Sequence, residues 1–157
     1  MANTQKTLNS KTTSAITSRV LNAPRNIVFK AWTDPQYLTQ WWGPDGFTST
    51  FHEHNAKAGG DWKFILHGPN GVDYPNEMVY VEVSDERIVL NHTSQHHFLL
   101  TATFEDAGEG KTKLTWVQRF ETVEEFEKVK PIVTPANEQN IDRLETVLRH
   151  LTEEQNQ

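Results

Sequence analysis

The run Asn137-Glu138-Gln139-Asn140-Ile141-Asp142-Arg143-Leu144-Glu145-Thr146-Val147-Leu148-Arg149-His150-Leu151 decides the fold. Ile141, Leu144, Leu148 and Leu151 recur at the spacing of one helix face, and one turn further back that stripe reaches Asn137. Asp142, Arg143, Glu145 and Arg149 fall on the opposite, charged face. The pattern predicts a long amphipathic helix that follows Pro131 and Pro135, ends near Leu151 and buries one side against another layer.

That layer lies upstream and reads as strands joined by hairpins. Thr48 to His54 and Trp62 to Leu66 flank a turn at Lys57-Ala58-Gly59-Gly60. Gly68-Pro69-Asn70-Gly71 turns the chain toward Met78 to Val83, and Ser84-Asp85-Glu86 turns it again into Ile88 to His92. Phe98, Leu100, Ala102 and Phe104 alternate along the next strand, and Leu114, Trp116 and Phe120 along the last. Before all of these, Ala15 to Leu21 reads as a first strand. Two short helices follow it. Pro24 opens one with Ile27, Val28, Ala31 and Trp32 at helical spacing; Asp34 caps another with Tyr37, Leu38, Trp41 and Trp42, stopped by Gly43-Pro44. The order predicts an α+β fold: a curved antiparallel sheet of six to seven strands around a long C-terminal helix. A straight helix cannot touch a strongly curved sheet everywhere, so a ligand cavity is expected between them.

Composition bounds the rest. The chain has 157 residues, enough for one domain with its own core, and no cysteine, which removes disulfides and thiolate chemistry. Residues 1–13 are polar and are expected to form a disordered tail, 14–152 the domain, and 153–157 a flexible C-terminus. The formal charge of −6 with no basic cluster argues against nucleic acid. No stretch is long and apolar enough for a membrane span, and no signal-peptide core is present, so a cytoplasmic location is expected.

The runs Ala23-Pro24-Arg25, Ala31-Trp32-Thr33-Asp34-Pro35 and Trp41-Trp42-Gly43-Pro44 carry a resemblance, extended by Gly59-Gly60 with Trp62, Asp73-Tyr74-Pro75, Tyr80 with Glu82-Val83, and Asp142-Arg143-Leu144. Together, over roughly residues 15–151, they resemble the bacterial family related to the C-terminal domain of the activator of heat-shock protein 90 ATPase, in the START-like, helix-grip (SRPBCC) superfamily. The resemblance implies a helix-grip fold around a pocket. It leaves three functions open: a binder of a hydrophobic or amphipathic small molecule, a cyclase or dehydratase, and a co-chaperone acting on heat-shock protein 90. The two-domain eukaryotic members carry an additional N-terminal domain that 157 residues do not hold, which places the co-chaperone role last. The family's final helix often begins with Gly-Trp; here those positions are Ala136 and Asn137, which implies a roomier or more polar end.

The expected cavity residues follow from the alternation. Trp62, Phe64, Leu66, Phe98, Leu100 and Trp116 face one concavity, opposite Asn137, Ile141 and Leu144 on the long helix. Gln118 shares the Trp116 face. Trp41 and Trp42 fall at the edge, either as an aromatic gate or as core. The resemblance turns Met78, Tyr80 and Glu82 inward, whereas simple alternation favours Val79, Val81 and Val83. If Glu82 faces inward, it and His92 on the neighbouring strand form a candidate general base and acid; a structural hydrogen-bonded pair is the competing reading. His52 and His54 are expected on one strand face and His96 and His97 on opposite faces, without the spacing of a metal site. No cofactor motif or nucleophile elbow is present, and no feature sets an oligomeric state.

Overall fold

A computed structural model describes residues 13–94 and 97–155. Seven antiparallel strands form one sheet in the order β1-β7-β6-β5-β4-β3-β2: β1 Ser14–Leu21, β2 Thr48–His54, β3 Asp61–His67, β4 Asp73–Val83, β5 Arg87–His92, β6 Phe98–Asp106 and β7 Thr112–Phe120. Strands β2 to β7 are successive hairpins. β1 joins the far side of β7, so the link from β1 to β2 must cross the whole sheet. Helices α1 (Arg25–Thr33) and α2 (Pro35–Trp41) make that crossing, and α3 (Val123–Gln155) lies along the concave face. Asp34 accepts from Gln36 N–H at 3.0 Å, the N-cap that starts α2.

Register aligns the inward side chains in rows. One row runs Trp62, Met78, His92, Phe98, Phe120; the next runs Tyr80, Leu90, Leu100, Gln118; a third runs Ile88, Ala102, Trp116. Ile141, Leu144, Val147, Leu148 and Leu151 of α3 are buried against these rows, as are Trp32, Leu38 and Trp41 from the crossing helices. This is the helix-grip arrangement: the sheet closes around one face of a single helix.

Two bulges settle parities that alternation leaves open. One extra residue at Val81 interrupts the pairing between Tyr80 and Glu82, so Met78 and Tyr80 point inward while Val81 is 54% exposed. Past the bulge the phase reverses: Val83 packs on the core and Glu82 turns out. A second bulge between Phe51 and Glu53 leaves His52 exposed and turns His54 to the same side as Phe51, so the two histidines do not share a face.

The long helix begins earlier than its prolines indicate. α3 starts at Val123, and Thr122 Oγ1 accepts from Glu125 N–H at 3.1 Å, the first half of a capping box. Pro131 and Pro135 sit within it on the exposed side, where the carbonyls they leave unpaired reach water. This first part buries Phe126 against Ala15 and Phe120. At the other end α3 runs on to Gln155, and residues 156–157 lie outside the described residues. β4 likewise starts at Asp73, five residues before Met78. The expected tail, residues 1–13, lies outside the described residues except Thr13, whose carbonyl accepts from Phe120 N–H.

The charged side of α3 is not simply a solvated face. Arg19 on β1 meets Glu138 at 2.6 Å, Asp142 at 2.6 Å and Glu145 at 3.0 Å, which ties the helix to the sheet edge. Arg143 donates to the carbonyls of Gln40, Gly43 and Pro44, capping the C-terminal end of α2. Among the described residues no helix is long and apolar enough to cross a membrane.

Candidate functional site

The gap left by α3 is a cavity of about 250 Å³. Its apolar wall comes from the α2–β2 loop (Trp42, Gly43, Pro44), β3 (Phe64, Leu66), β4 (Met78), β6 (Phe98, Leu100) and β7 (Trp116). Polar groups enter from Asn76, His92, Gln118, Asn137 and Asn140. Trp42 is stacked nearly parallel to Trp116, with ring centroids 5.8 Å apart and 16° between planes, and both border the cavity. Pro44, Leu66, Asn76 and Phe98 are the half-exposed members and mark the mouth.

Several sequence-predicted positions stand outside this wall. Trp41 is fully buried, donates its indole N–H to Ala31 O at 2.9 Å and packs on Trp32, so it belongs to the core and is no gate. Trp62 and Tyr80 stack on each other in the neighbouring core with His54, whose Nε2 shares a 2.8 Å hydrogen bond with the Tyr80 hydroxyl. Burial pushes the Tyr80 phenol up and the His54 imidazole down, keeping both neutral. Ile141 and Leu144 are fully buried in the main core and do not line the cavity. Trp42, Phe64, Leu66, Met78, Phe98, Leu100, Trp116, Gln118 and Asn137 do line it.

The proposed acid–base pair does not form. Glu82 accepts from Arg87 through both carboxylate oxygens at 2.9–3.2 Å, on the outer side of the sheet. The Val81 bulge is the cause, because it reverses the phase of the strand between Tyr80 and Glu82. His92 stays inside, stacked on Phe98 with ring centroids 4.4 Å apart. Its Nε2 lies 2.7 Å from Asn76 Oδ1. Asn76 Nδ2 donates to Tyr74 O, which leaves Oδ1 as the acceptor in this contact and His92 Nε2 as the donor. His97, also facing outward, bridges Asn91 and Glu121; His96 lies outside the described residues. Among the described residues no group of three or more His, Asp or Glu side chains is placed to hold a metal ion.

Among the lining residues, Asn76, Gly43 and Pro44 went unread as such in the sequence. Asn76 belongs to the part of β4 ahead of the expected strand start, so alternation was never applied to it. Gly43 was read only as a helix stop. Its φ of +113° lies in the region that L side chains avoid, and an added Cβ would meet Leu66 Cδ2 and Phe47 Cβ at 3.2 Å. Gly43 also donates its N–H to Asn140 Oδ1 at 2.8 Å, so the loop carrying Trp42 is pinned to α3 from both sides of one residue.

A seven-stranded sheet gripping one helix, with two short crossing helices, defines a START-like helix-grip protein. The family model described as "Activator of Hsp90 ATPase homolog 1-like protein" matches residues 22–149, and the chain belongs to that family. Solved structures agree in fold. Protein CV1439 from Chromobacterium violaceum is 26% identical with a TM-score of 0.77, the match covering 85% of this chain and 96% of that one. Protein NE0264 from Nitrosomonas europaea is 18% identical with a TM-score of 0.80, covering 89% and 96%. The AHSA1 (SPO3351) protein from Silicibacter pomeroyi is 15% identical with a TM-score of 0.70, covering 87% and 97%. No curated protein sequence matches the chain. The family is compatible with small-ligand binding.

Proposed function

We propose that this protein binds a compact, mostly apolar molecule of one or two rings in the cavity under α3. The observation that carries this reading is the cavity itself, 250 Å³ lined by Trp42, Phe64, Met78, Phe98, Leu100 and Trp116. An apolar protein cavity of about 150 Å³ takes a benzene ring, so this one suits a bicyclic ring or a ring with a short chain. It is small for an extended lipid tail, which narrows the range of ligands expected from sequence. A bicyclic aromatic burying about 200 Å² gains roughly 5 kcal/mol at ~25 cal/mol per Å² before ordering costs, a sub-millimolar affinity at best without polar contacts.

Titration with naphthalene tests the reading through the fluorescence of Trp42 and Trp116. Saturable quenching is expected, nearly independent of salt because no Lys, Arg, Asp or Glu lines the wall. Asn137→Trp places an indole in the cavity and should abolish the effect. An unchanged emission in the parent, or equal binding by parent and variant, overturns the proposal.

A further inference from the structure

The floor of the cavity carries two amides whose orientations are forced. Trp116 Nε1 can only donate, and it lies 3.4 Å from Gln118, so the atom facing it is the amide oxygen Oε1. Asn137 approaches that same oxygen at 3.1 Å and must therefore present its own nitrogen, Nδ2. Two groups are left over by this chain of donors: the Gln118 Nε2 hydrogens and the Asn137 Oδ1 lone pairs. Neither has a hydrogen-bond partner among the described residues. The buried side-chain atoms lacking partners and sealed from any space are Trp32 Nε1, Ser49 Oγ and Trp62 Nε1, so the two amide atoms are not sealed. Their residues are only 8% and 4% exposed and both line the cavity, so the open side of each atom faces it.

Apart from the Trp42 indole N–H, which has no hydrogen-bond partner among the described residues, the other polar lining side chains have partners. Asn140 accepts from Gly43 N–H and donates to Ala136 O, and Asn76 and His92 bond each other. The amide pair therefore offers the cavity a donor and an acceptor, linked through one amide–amide hydrogen bond, beside the parallel Trp42 and Trp116 rings. No Lys, Arg, Asp or Glu lines the wall. An ionised ligand would be buried without a countercharge, which is costly, whereas a neutral one satisfies both amides.

We infer that the site selects a neutral aromatic molecule carrying a hydrogen-bond acceptor and donor on adjacent atoms, the edge of a lactam or secondary cis-amide. Its carbonyl accepts from Gln118 Nε2, its N–H donates to Asn137 Oδ1, and its ring lies against the tryptophans. This inference rests on the reading of the cavity as a ligand site and adds the chemical class of the ligand.

The test is a competitive fluorescence titration of four bicyclic probes: naphthalene, the lactam carbostyril, N-methylcarbostyril and naphthoate. Carbostyril should bind at least about tenfold more tightly than naphthalene and than the N-methyl compound, because a buried site built for a hydrogen bond discriminates against the analogue lacking it. Naphthoate should bind most weakly. Gln118→Met should collapse the ratio of carbostyril to naphthalene affinity toward one. Asn137→Leu, which leaves the Trp116–Gln118 contact in place, should do so through the acceptor half and serves if the first variant does not fold. Naphthalene binding with no preference for carbostyril overturns the inference while leaving the cavity reading intact, and tighter binding of naphthoate overturns the claim of neutrality. Failure of all four probes overturns the proposed function, and this inference falls with it.

Discussion

Leu144→Ala measures how firmly the sheet grips α3. Leu144 is fully buried in the main core. Removing three carbon groups forfeits about 2.4 kcal/mol at ~0.8 kcal/mol each. The space they leave is bounded by a continuous sheet on one side and the helix axis on the other, so little collapse is available, and the residual cavity raises the total to about 3–5 kcal/mol. Urea unfolding should show the midpoint falling at unchanged slope, and for a domain of this size the melting temperature should drop by about 6–15 °C. Ile132 on the same helix is the internal control. It is 70% exposed, so Ile132→Ala should change stability by less than about 0.5 kcal/mol. A loss below about 1 kcal/mol at Leu144, or equal losses at the two positions, would mean that α3 is held by its ends and not by the concave face. The argument for a fixed cavity beneath it would then fail.

Arg19→Met leaves Glu138, Asp142 and Glu145 facing one another, so it should cost about 1–2 kcal/mol at low ionic strength and distinctly less in 1 M salt; urea melts at the two salt concentrations check this. Thr122→Ala removes the cap on the first turn of α3 and should cost about 1 kcal/mol in the same assay, with no effect on probe binding if the cavity lies only under the later turns. His54 has an imidazole pKa lowered chiefly by burial, with Asp34 opposing. Below the ordinary histidine value of about 6.5 the unfolded chain binds the proton more readily than the folded one, so stability present above that pH is lost as pH falls through the folded value. His54→Gln should flatten the decline in stability between pH 7 and pH 5; an unchanged slope would show that the imidazole titrates freely.

What the sequence discloses here depends on whether one local period persists. The rows Leu100–Gln118 and Ala102–Trp116 are legible because β6 and β7 keep strict alternation over their full length. Alternation fails at Val81 and His52, where a single inserted residue reverses every side chain beyond it; nothing in the local composition marks the bulge, and Glu82 is misplaced as a result. The first turns of α3, capped at Thr122, escape a reading that starts the helix after Pro131 and Pro135, because a helix interior normally excludes proline and only the exposed placement of these two makes them tolerable. The cavity is a different kind of object. Inward orientation can be read from period, but whether an inward side chain borders space or protein depends on how far the helix reaches, which is why Trp62 and Ile141 pack solidly while Phe64 and Asn137 face the void. The polar exceptions to each apolar period narrow this uncertainty. Gln118 interrupts the Leu114, Trp116, Phe120 series of β7, and Asn137 and Asn140 occupy the start of a stripe otherwise made of Ile and Leu. An amide at such a position is unfavourable unless something answers it. Asn140 is answered by the backbone of Gly43, whereas Gln118 and Asn137 answer each other only in part. On the proposed reading, that partial answer leaves a donor and an acceptor open toward the cavity, so the break in the apolar pattern marks the position at which a ligand would supply the missing partners.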